Sequence, residues 1–292
     1  MILRQLMENI NPENPPKPCD CFDLIGGTST GGIIAIMLGR LKMSVDECIT
    51  AYAQLSSSVF VKTKHRLTIR GTVQGRFDSD ALERQVVAQL EKLGLSKDTL
   101  LKDSAATTGC KVFVCVTSVD HSGTSVFSSY YSRRRGTSML NVVKITDAVR
   151  ATSAASSFFD PVTIDGETFV DGATGANNPV RVLWQEAQDI WGVSGGLDHH
   201  VSCLVSIGTG VPSPSAFGND PLHIAKALVR MTLDTEREAE AFQREHTGLF
   251  RAKNAFRLNV SHGLESVGLE DLSQLGHIKA MTRKYFESES VR

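Results

Sequence analysis

Short apolar runs alternate along the chain with longer segments in which apolar residues recur at helical spacing. The runs Lys111–Thr117 and Val201–Ile207 are almost continuously apolar, as expected for strands that are covered on both faces in a parallel sheet. Residues 45–55 and 82–93 repeat apolar side chains every three or four positions, which predicts two amphipathic helices. Strands that alternate with helices predict an α/β sheet within one domain spanning residues 1–292.

The ends of several predicted elements carry their own signals. Ser44 and Glu47 form a capping box before the first of those helices, and Gly94 ends the second. Asp165-Gly166 lies between two short apolar runs and predicts a hairpin turn. Helices are also predicted over residues 1–10, 146–155, 221–246 and 270–287 and after Asn178-Pro179, with a strand over 256–260 and an irregular excursion over 60–79.

Composition and charge exclude several classes of protein. Lysine and arginine number 31 against 32 acidic residues, so no net positive charge attracts nucleic acid. The basic run Arg133–Arg135 is typical of a solvated loop, and contact with lipid headgroups is the alternative. No apolar run reaches the roughly 18 residues of a membrane span, and residues 1–20 lack the apolar core of a signal peptide. We therefore expect a cytoplasmic protein.

The six cysteines are scattered along the chain, and most lie among apolar residues, as expected for reduced thiols in a protein core. Cys19 and Cys21 have no second pair of cysteines at the spacing that metal ligands require. We therefore expect neither a metal ion nor a cofactor in the chemistry of this protein.

The stretch Gly27-Thr28-Ser29-Thr30-Gly31 lies between an apolar strand and an apolar helix, which is the context of a nucleophile elbow. A sharp turn from strand to helix leaves no room for a Cβ at the flanking positions, which would explain Gly27 and Gly31. Such a turn exposes the Ser29 hydroxyl and directs the helix N-terminus at developing negative charge. The alternative is a glycine-rich turn with a solvated serine, and the flanking strand and helix favour catalysis.

A serine hydroxyl needs a base to become a nucleophile, and the residues leave two sources open. One source is a histidine that an acid orients, in the chain order Ser–Asp–His of α/β-hydrolases. None of the eight histidines lies in a strong local motif, so each is more typical of a surface or core histidine than of a base. The other source is a carboxylate that takes the proton directly.

Asp171 is the best-placed carboxylate for that role. It directly follows a predicted strand and precedes Gly172 and Ala173, at the kind of strand end where α/β sheets present functional groups. Asp-Gly is also a common turn sequence, so the position by itself leaves a base and a turn residue equally open.

The Gly27–Gly32 stretch together with Asp171-Gly172-Ala173 resembles the patatin-like phospholipase family, whose members pair a G-x-S-x-G serine with the aspartate of a D-G-[GA] motif. Further matching stretches cover essentially the whole chain: residues 18–26, 150–155, 158–161, 177–179 and 206–210. The arrangement looks most like fungal and plant multidomain members, in which a nucleotide-binding or repeat region follows such a domain. The resemblance implies a three-layer α/β/α fold with a mostly parallel central sheet.

The resemblance also implies a function, namely hydrolysis of lipid acyl esters such as phospholipids at a membrane or micelle surface that the protein contacts peripherally. Carried over, Ser29 is the nucleophile, Asp171 is the base, and the Thr30 N–H is an oxyanion donor. In the family, a D-G-G-G-x-R loop before the first helix supplies further donors, whereas this sequence begins inside that helix. We therefore expect a chain truncated at its N-terminus relative to the family, without the first strand and with low turnover.

Two alternatives to an active Ser–Asp hydrolase stay open. A catalytically impaired binding or regulatory module of the same fold would lack turnover because its oxyanion loop is absent. A conventional α/β-hydrolase would instead depend on a histidine that follows Asp171 in the chain.

Overall fold

A mixed sheet of five strands forms the centre of the larger of two units into which the chain divides. The computed structural model describes residues 1–60, 77–103, 109–155, 158–192, 196–211, 235–264, 267 and 272–288. Residues 7–179 form the larger unit, and residues 1–6 together with residues 180–292 form the smaller one. The single domain expected over residues 1–292 stays a prediction.

Helices and strands alternate along the first 179 residues. Helices lie at α1 (Ile2–Ile10), α2 (Pro18–Cys21), α3 (Thr30–Ala35), α4 (Val45–Val59), α5 (Ser79–Lys92), α6 (Ile145–Thr152) and α7 (Ala173–Ala176). Strands lie at β1 (Leu24–Thr28), β2 (Lys111–Ser118), β3 (Gly123–Ser128), β4 (Val162–Ile164) and β5 (Glu167–Asp171). Helix α3 continues as a π-helical turn over Ile36–Arg40. The α/β class predicted from the sequence is confirmed.

The strands of this sheet run in mixed directions. Strand β1 pairs with β2 in parallel, whereas β3 and β5 pair with β2 in the antiparallel direction and β4 pairs with β5 likewise. The prediction of a mostly parallel sheet is therefore wrong for these five strands. For two of the three antiparallel pairs the reason is connection length: residues 119–122 join β2 to β3 and Asp165-Gly166 joins β4 to β5, and such short links suit antiparallel neighbours.

Strands β1 and β5 occupy the same edge of β2. A strand residue has one neighbour on each side, and β3 pairs with β2 from Phe113 to Ser118 on one edge. Strand β1, which ends with Thr28 opposite Cys115, and β5, which ends with Asp171 opposite Val116, must therefore share the other edge. The two strands approach from opposite directions, and their C-terminal ends meet at consecutive residues of β2.

Strand β2 is the buried centre of this unit. Its side chains from Val112 to Val116 have no exposed surface, and α3, α6 and α7 pack against it. Burying one such large apolar side chain stabilises the fold by roughly 1.5–3 kcal/mol. The continuous apolar run predicted as a covered strand is thus confirmed for β2.

The smaller unit contains the parallel strands β6 (Leu204–Ile207) and β7 (Ala255–Leu258). Its helices lie at α8 (Val180–Trp191), α9 (Thr235–Glu245), α10 (Thr247–Arg251) and α11 (Leu275–Glu287). Helix α9 is the end of the charged helix predicted over 221–246, and residues 221–234 lie outside the described residues. The prediction of a buried strand over Val201–Ile207 is wrong at its end: Leu204 is buried, but Ile207 is 43% exposed, since among the described residues β6 pairs with β7 alone.

The structure confirms the capping box and the hairpin turn that the sequence predicts. The Ser44 hydroxyl accepts the Glu47 N–H at 3.2 Å, and the Glu47 carboxylate accepts the Ser44 N–H at 2.7 Å, which completes the capping box of α4. At the hairpin turn, Asp165 and Gly166 have φ angles of 50° and 84°. Most of the predicted irregular excursion, residues 61–76, lies outside the described residues.

The six cysteines are free, but they are less buried than their apolar neighbours predict. Only Cys48 and Cys115 are buried, and burial raises the pKa of the Cys48 thiol to about 12. Cys21 and Cys203 are exposed because they lie at the end of α2 and just before β6, where the chain leaves the core. In the described part of the chain, no helix combines the length and the apolar character needed to cross a bilayer.

Candidate active site

Ser29 lies at the point where β1 gives way to α3. Strand β1 ends at Thr28, α3 begins at Thr30, and Ser29 between them has φ 55° and ψ −128°. A positive φ is uncommon for a residue with a side chain, and such a conformation costs on the order of 1–3 kcal/mol. The sharp turn from strand to helix that the G-x-S-x-G stretch predicts is therefore confirmed.

Gly27 and Gly31 flank this turn but differ in the space around them. A Cβ on Gly27 would lie 2.1 Å from the carbonyl oxygen of Gly31, a contact that backbone atoms cannot easily relieve. A Cβ on Gly31 would meet nothing within 4 Å. The predicted steric need for glycine is right for Gly27 and wrong for Gly31, because Gly31 lies on the exposed side of the first turn of α3.

The Ser29 hydroxyl and the Asp171 carboxylate are in direct contact. Ser29 Oγ donates a hydrogen bond of 2.6 Å to Asp171 Oδ2, across 142 residues of sequence. The contact follows from the strand arrangement, since Ser29 comes directly after β1 and Asp171 is the last residue of β5 on the same edge of β2. The structure thus brings together the two residues that the resemblance assigns as nucleophile and base.

Hydrogen bonds fix both the carboxylate and the backbone of Asp171. Its Oδ1 accepts the Ala173 N–H at 2.8 Å, its N–H donates to the Ala154 carbonyl at 3.0 Å, and its carbonyl accepts the Thr117 hydroxyl at 3.0 Å. The sequence leaves a turn residue and a partner of the serine as alternatives for Asp171, and the structure contains both contacts. Oδ1 makes the turn contact with the Ala173 N–H, and Oδ2 accepts the hydrogen bond from Ser29. A Cβ on Gly172 would lie 2.5 Å from the Cys115 carbonyl oxygen, which explains the glycine after Asp171.

Burial changes the acidity of Asp171. The residue is only 5% exposed, and this burial raises the pKa of its carboxyl group from 3.8 to about 6, although hydrogen bonds from Ser29 and Ala173 act to lower it. A carboxylate with a raised pKa is a stronger base than a solvated one, and it is still mostly ionised at neutral pH. It can therefore accept a proton from a hydroxyl that touches it.

The backbone N–H groups around Ser29 fall into two sets. Those of Gly32 and Ile33 donate to the Ser29 carbonyl, and that of Ser29 itself donates to Thr152 Oγ1 at 3.0 Å. Thr30 and Gly31 are the first residues of α3, so their N–H groups have no acceptor within the helix. The Thr30 N–H expected as an oxyanion donor lies at this position, directly after Ser29.

Three side-chain contacts next to the elbow have no counterpart in the sequence predictions. Thr28 Oγ1 donates to the Ala176 carbonyl at 2.5 Å and so connects β1 to α7. The hydroxyls of Thr30 and Tyr52 lie 3.4 Å apart, so a side chain of α4 contacts the first residue of α3. Sequence spacing carries no signal for either contact. The Thr152 hydroxyl makes the third such contact, and Thr152 belongs to residues 150–155, one of the stretches on which the family resemblance rests.

The histidines are not part of this contact. Among the described residues, the hydrogen-bond partners of the Asp171 carboxylate are Ser29 and Ala173, and neither is a histidine. His246 instead lies 2.9 Å from Asp198 and packs against the rings of Trp184 and Phe242 in the smaller unit. His65 and His223 lie outside the described residues. In the described part of the chain, no three metal-binding side chains cluster together.

Comparison with known proteins places these motifs in a family. The chain matches the family model described as patatin-like phospholipase over residues 2–184. Phospholipase A I of Arabidopsis thaliana is 29% identical over 293 residues, which cover 81% of this chain and 22% of that protein. Calcium-independent phospholipase A2-gamma of Mus musculus is 27% identical over 251 residues, which cover 82% of this chain and 30% of that protein.

A third relative matches a smaller share of the chain. Patatin-like protein 2 of Oryza sativa subsp. japonica is 28% identical over 177 residues, which cover 55% of this chain and 41% of that protein. The chain therefore spans less than half the length of these relatives. Because the match to the family model covers more than half of the 292 residues, the chain belongs to the patatin-like phospholipase family.

Proposed function

We propose that this chain hydrolyses lipid acyl esters with a Ser–Asp dyad, in which Ser29 is the nucleophile and Asp171 is the base. The observation that carries the proposal is the 2.6 Å hydrogen bond from Ser29 Oγ to Asp171 Oδ2, made without an intervening histidine. A serine hydroxyl becomes a useful nucleophile when a positioned group accepts its proton as it attacks. The raised pKa of Asp171 suits that group to the task.

The reaction has two steps that share one proton carrier. In the first, Ser29 Oγ attacks the ester carbonyl carbon while its proton moves to Asp171 Oδ2. The tetrahedral intermediate collapses, the C–O bond to the leaving alcohol breaks, and Asp171 returns the proton to that alcohol. In the second, water attacks the acyl-enzyme, Asp171 takes its proton, and Ser29 recovers the proton as the fatty acid leaves.

The substrate class follows from the family and from the names of the relatives, which include phospholipase A I and calcium-independent phospholipase A2-gamma. A phospholipid ester lies at the surface of a bilayer or micelle, so the protein would contact that surface peripherally. The chain spans 22% and 30% of those two relatives, so the activity in their names is carried to this chain only as part of the proposal.

A catalytically impaired module is the second candidate. The observation that favours it is the small number of backbone N–H donors that the described residues of the elbow present. The tetrahedral intermediate carries negative charge that preorganised N–H groups must stabilise, and the elbow contributes Thr30 and Gly31. Loss of one such donor lowers kcat by about 10²–10³ in a well-studied protease. An upstream extension that carries a D-G-G-G-x-R loop should raise kcat if the present chain lacks donors.

The proposal is tested with an ester of p-nitrophenol and a fluorophosphonate probe that labels activated serines. Ser29→Ala should abolish both turnover and labelling, because the attacking oxygen is gone. The matched control is Ser57→Ala, which removes an exposed hydroxyl that donates to the Gln54 carbonyl on α4. Labelling that persists in Ser29→Ala would assign the nucleophile elsewhere, and labelling without turnover in the wild-type chain would favour the impaired module.

A further inference from the structure

Thr152, the last residue of α6, is fully buried and touches the nucleophile elbow. Its hydroxyl oxygen accepts the Ser29 N–H at 3.0 Å and donates to the Cys115 carbonyl at 2.8 Å. The hydroxyl therefore uses its donor and one acceptor site on two different segments of the chain. A buried polar group satisfied in this way fixes the positions of the segments that it joins.

The Thr152 hydroxyl lies at the junction where the catalytic strands meet. Cys115, which accepts its hydrogen bond, is the residue of β2 opposite Thr28 at the end of β1. The next residue, Val116, lies opposite Asp171 at the end of β5. Thr152 thus ties the elbow to β2 at the level where the nucleophile and the base face each other.

The residues that follow Thr152 reach the base. The Ala154 carbonyl, two residues further along, accepts the Asp171 N–H at 3.0 Å. One short segment after α6 therefore contacts the backbone of Ser29 through Thr152 and the backbone of Asp171 through Ala154. This geometry lets a single segment set the separation between the two reacting side chains.

The elbow is shaped to admit the Thr152 side chain. A Cβ on Gly32 would lie 2.6 Å from Thr152 Oγ1 and 2.8 Å from its Cγ2, so only glycine lets α3 approach this closely. The positive φ of Ser29 is a strained conformation that persists only where surrounding contacts hold it. The hydrogen bond from the Ser29 N–H to Thr152 is one of those contacts.

We propose that Thr152 is a positioning residue for the hydrolysis, a role that rests on the proposed functions of Ser29 and Asp171. Its hydroxyl holds the backbone of Ser29 so that the serine Oγ reaches Asp171. It also occupies the Ser29 N–H, which removes that group from the donors that could stabilise the oxyanion. The nucleophile's own amide, which serves as an oxyanion donor in chymotrypsin-like proteases, is committed here to holding the turn.

Three variants separate positioning from simple loss of stability. Thr152→Val keeps the shape and removes the hydroxyl, whereas Thr152→Ser keeps the hydroxyl and removes a methyl group. Ser153→Ala is the matched control, since it removes a neighbouring buried hydroxyl that, among the described residues, donates to the Val149 carbonyl of α6 and does not contact the elbow. All three are compared in the full chain by steady-state kinetics and by hydrogen exchange of the Ser29 amide.

Thr152→Val should lower kcat about 10- to 100-fold with KM changed by less than about twofold, because the reacting atoms are misplaced while substrate binding is not. Its Ser29 amide should exchange faster, since the acceptor is gone. Thr152→Ser should recover most of kcat and of the protection from exchange. Ser153→Ala should resemble the wild-type protein in both measurements, whatever it costs in melting temperature.

Two results would overturn the proposal. One is a Thr152→Val protein with wild-type kcat and unchanged exchange of the Ser29 amide. The other is an equal loss of kcat in Thr152→Val and Ser153→Ala, which would reduce Thr152 to a structural role. If the wild-type chain neither turns over an ester nor reacts with the fluorophosphonate probe, the proposed function fails, and the exchange of the Ser29 amide still decides the contact with Thr152.

Discussion

Gly27 faces the carbonyl oxygen of Gly31 so closely that a Cβ on Gly27 would lie 2.1 Å from it. The reverse does not hold, since a Cβ on Gly31 meets nothing within 4 Å. The two glycines of the G-x-S-x-G stretch therefore have different physical purposes. Gly27 lets the first turn of α3 fold back against β1, and Gly31 leaves the surface beside Ser29 open.

Alanine at these two positions should separate their roles. Gly27→Ala should lower the free energy of unfolding by about 3 kcal/mol, because the clash is with backbone that cannot move aside. Gly31→Ala should leave it unchanged or raise it by up to about 1 kcal/mol, since alanine is the better helix former. Urea unfolding of both variants measures the difference, and equal destabilisation would show that Gly31 has a steric need of its own.

The pH dependence of hydrolysis should report the ionisation of Asp171. Burial raises the pKa of this carboxyl group to about 6, and only the ionised form can accept the serine proton. The value of kcat/KM should therefore be constant at neutral pH and fall about tenfold for each pH unit below about 6. A midpoint close to the ordinary value of 3.8 would contradict the assignment of Asp171 as a buried base.

Asp171→Asn should abolish turnover and remove the pH dependence of stability that this carboxyl group causes. Because the folded-state pKa is raised, the wild-type protein loses stability as the pH rises from about 4 through about 6, by about 3 kcal/mol for this shift. Asparagine keeps the shape and does not ionise, so the variant lacks this loss. Urea unfolding at about pH 4 and about pH 8 should show the difference between the two proteins growing in favour of Asp171→Asn.

Replacement of histidines should leave the chemistry intact. His246→Gln breaks the contact with Asp198 and the packing against Trp184 and Phe242, so it should lower the melting temperature. Its kcat should stay within about twofold of the wild-type value, because removing a general base costs about 10²–10⁴-fold and the base that we propose is Asp171. Single replacements of His199, His200, His223, His262 and His277 should likewise leave kcat within about twofold of the wild-type value. A folded single variant that loses turnover would transfer the base role to that histidine.

Local sequence signals predicted the parts of the fold that form within a few residues. Ser44 with Glu47, Asp165 with Gly166 and the turn at Ser29 each depend on contacts between near neighbours, and each is present as predicted. The apolar run of β2 likewise predicted that this strand is buried. These features are readable because side-chain chemistry and backbone conformation are coupled over short distances.

Contacts between distant segments could not be read in the same way. The pairing of Ser29 with Asp171 entered through the family resemblance, since spacing alone left Asp171 open as a turn residue. Thr152 carried no visible role, because its partners Ser29 and Cys115 are 123 and 37 residues away in sequence. Strand directions were missed for a related reason, as an apolar run reports burial but not which neighbour it will pair with.

The meeting of β1 and β5 on one edge of β2 has a consequence for the order of folding. Neither strand brings its proposed catalytic residue into place until both have docked on β2, and the Ser29–Asp171 contact closes a loop of 142 residues. Contacts of such long sequence separation form late, since the chain must first lose the entropy of the intervening loop. During refolding, reactivity of Ser29 should therefore appear after helical structure, and it marks the molecules in which this sheet is complete.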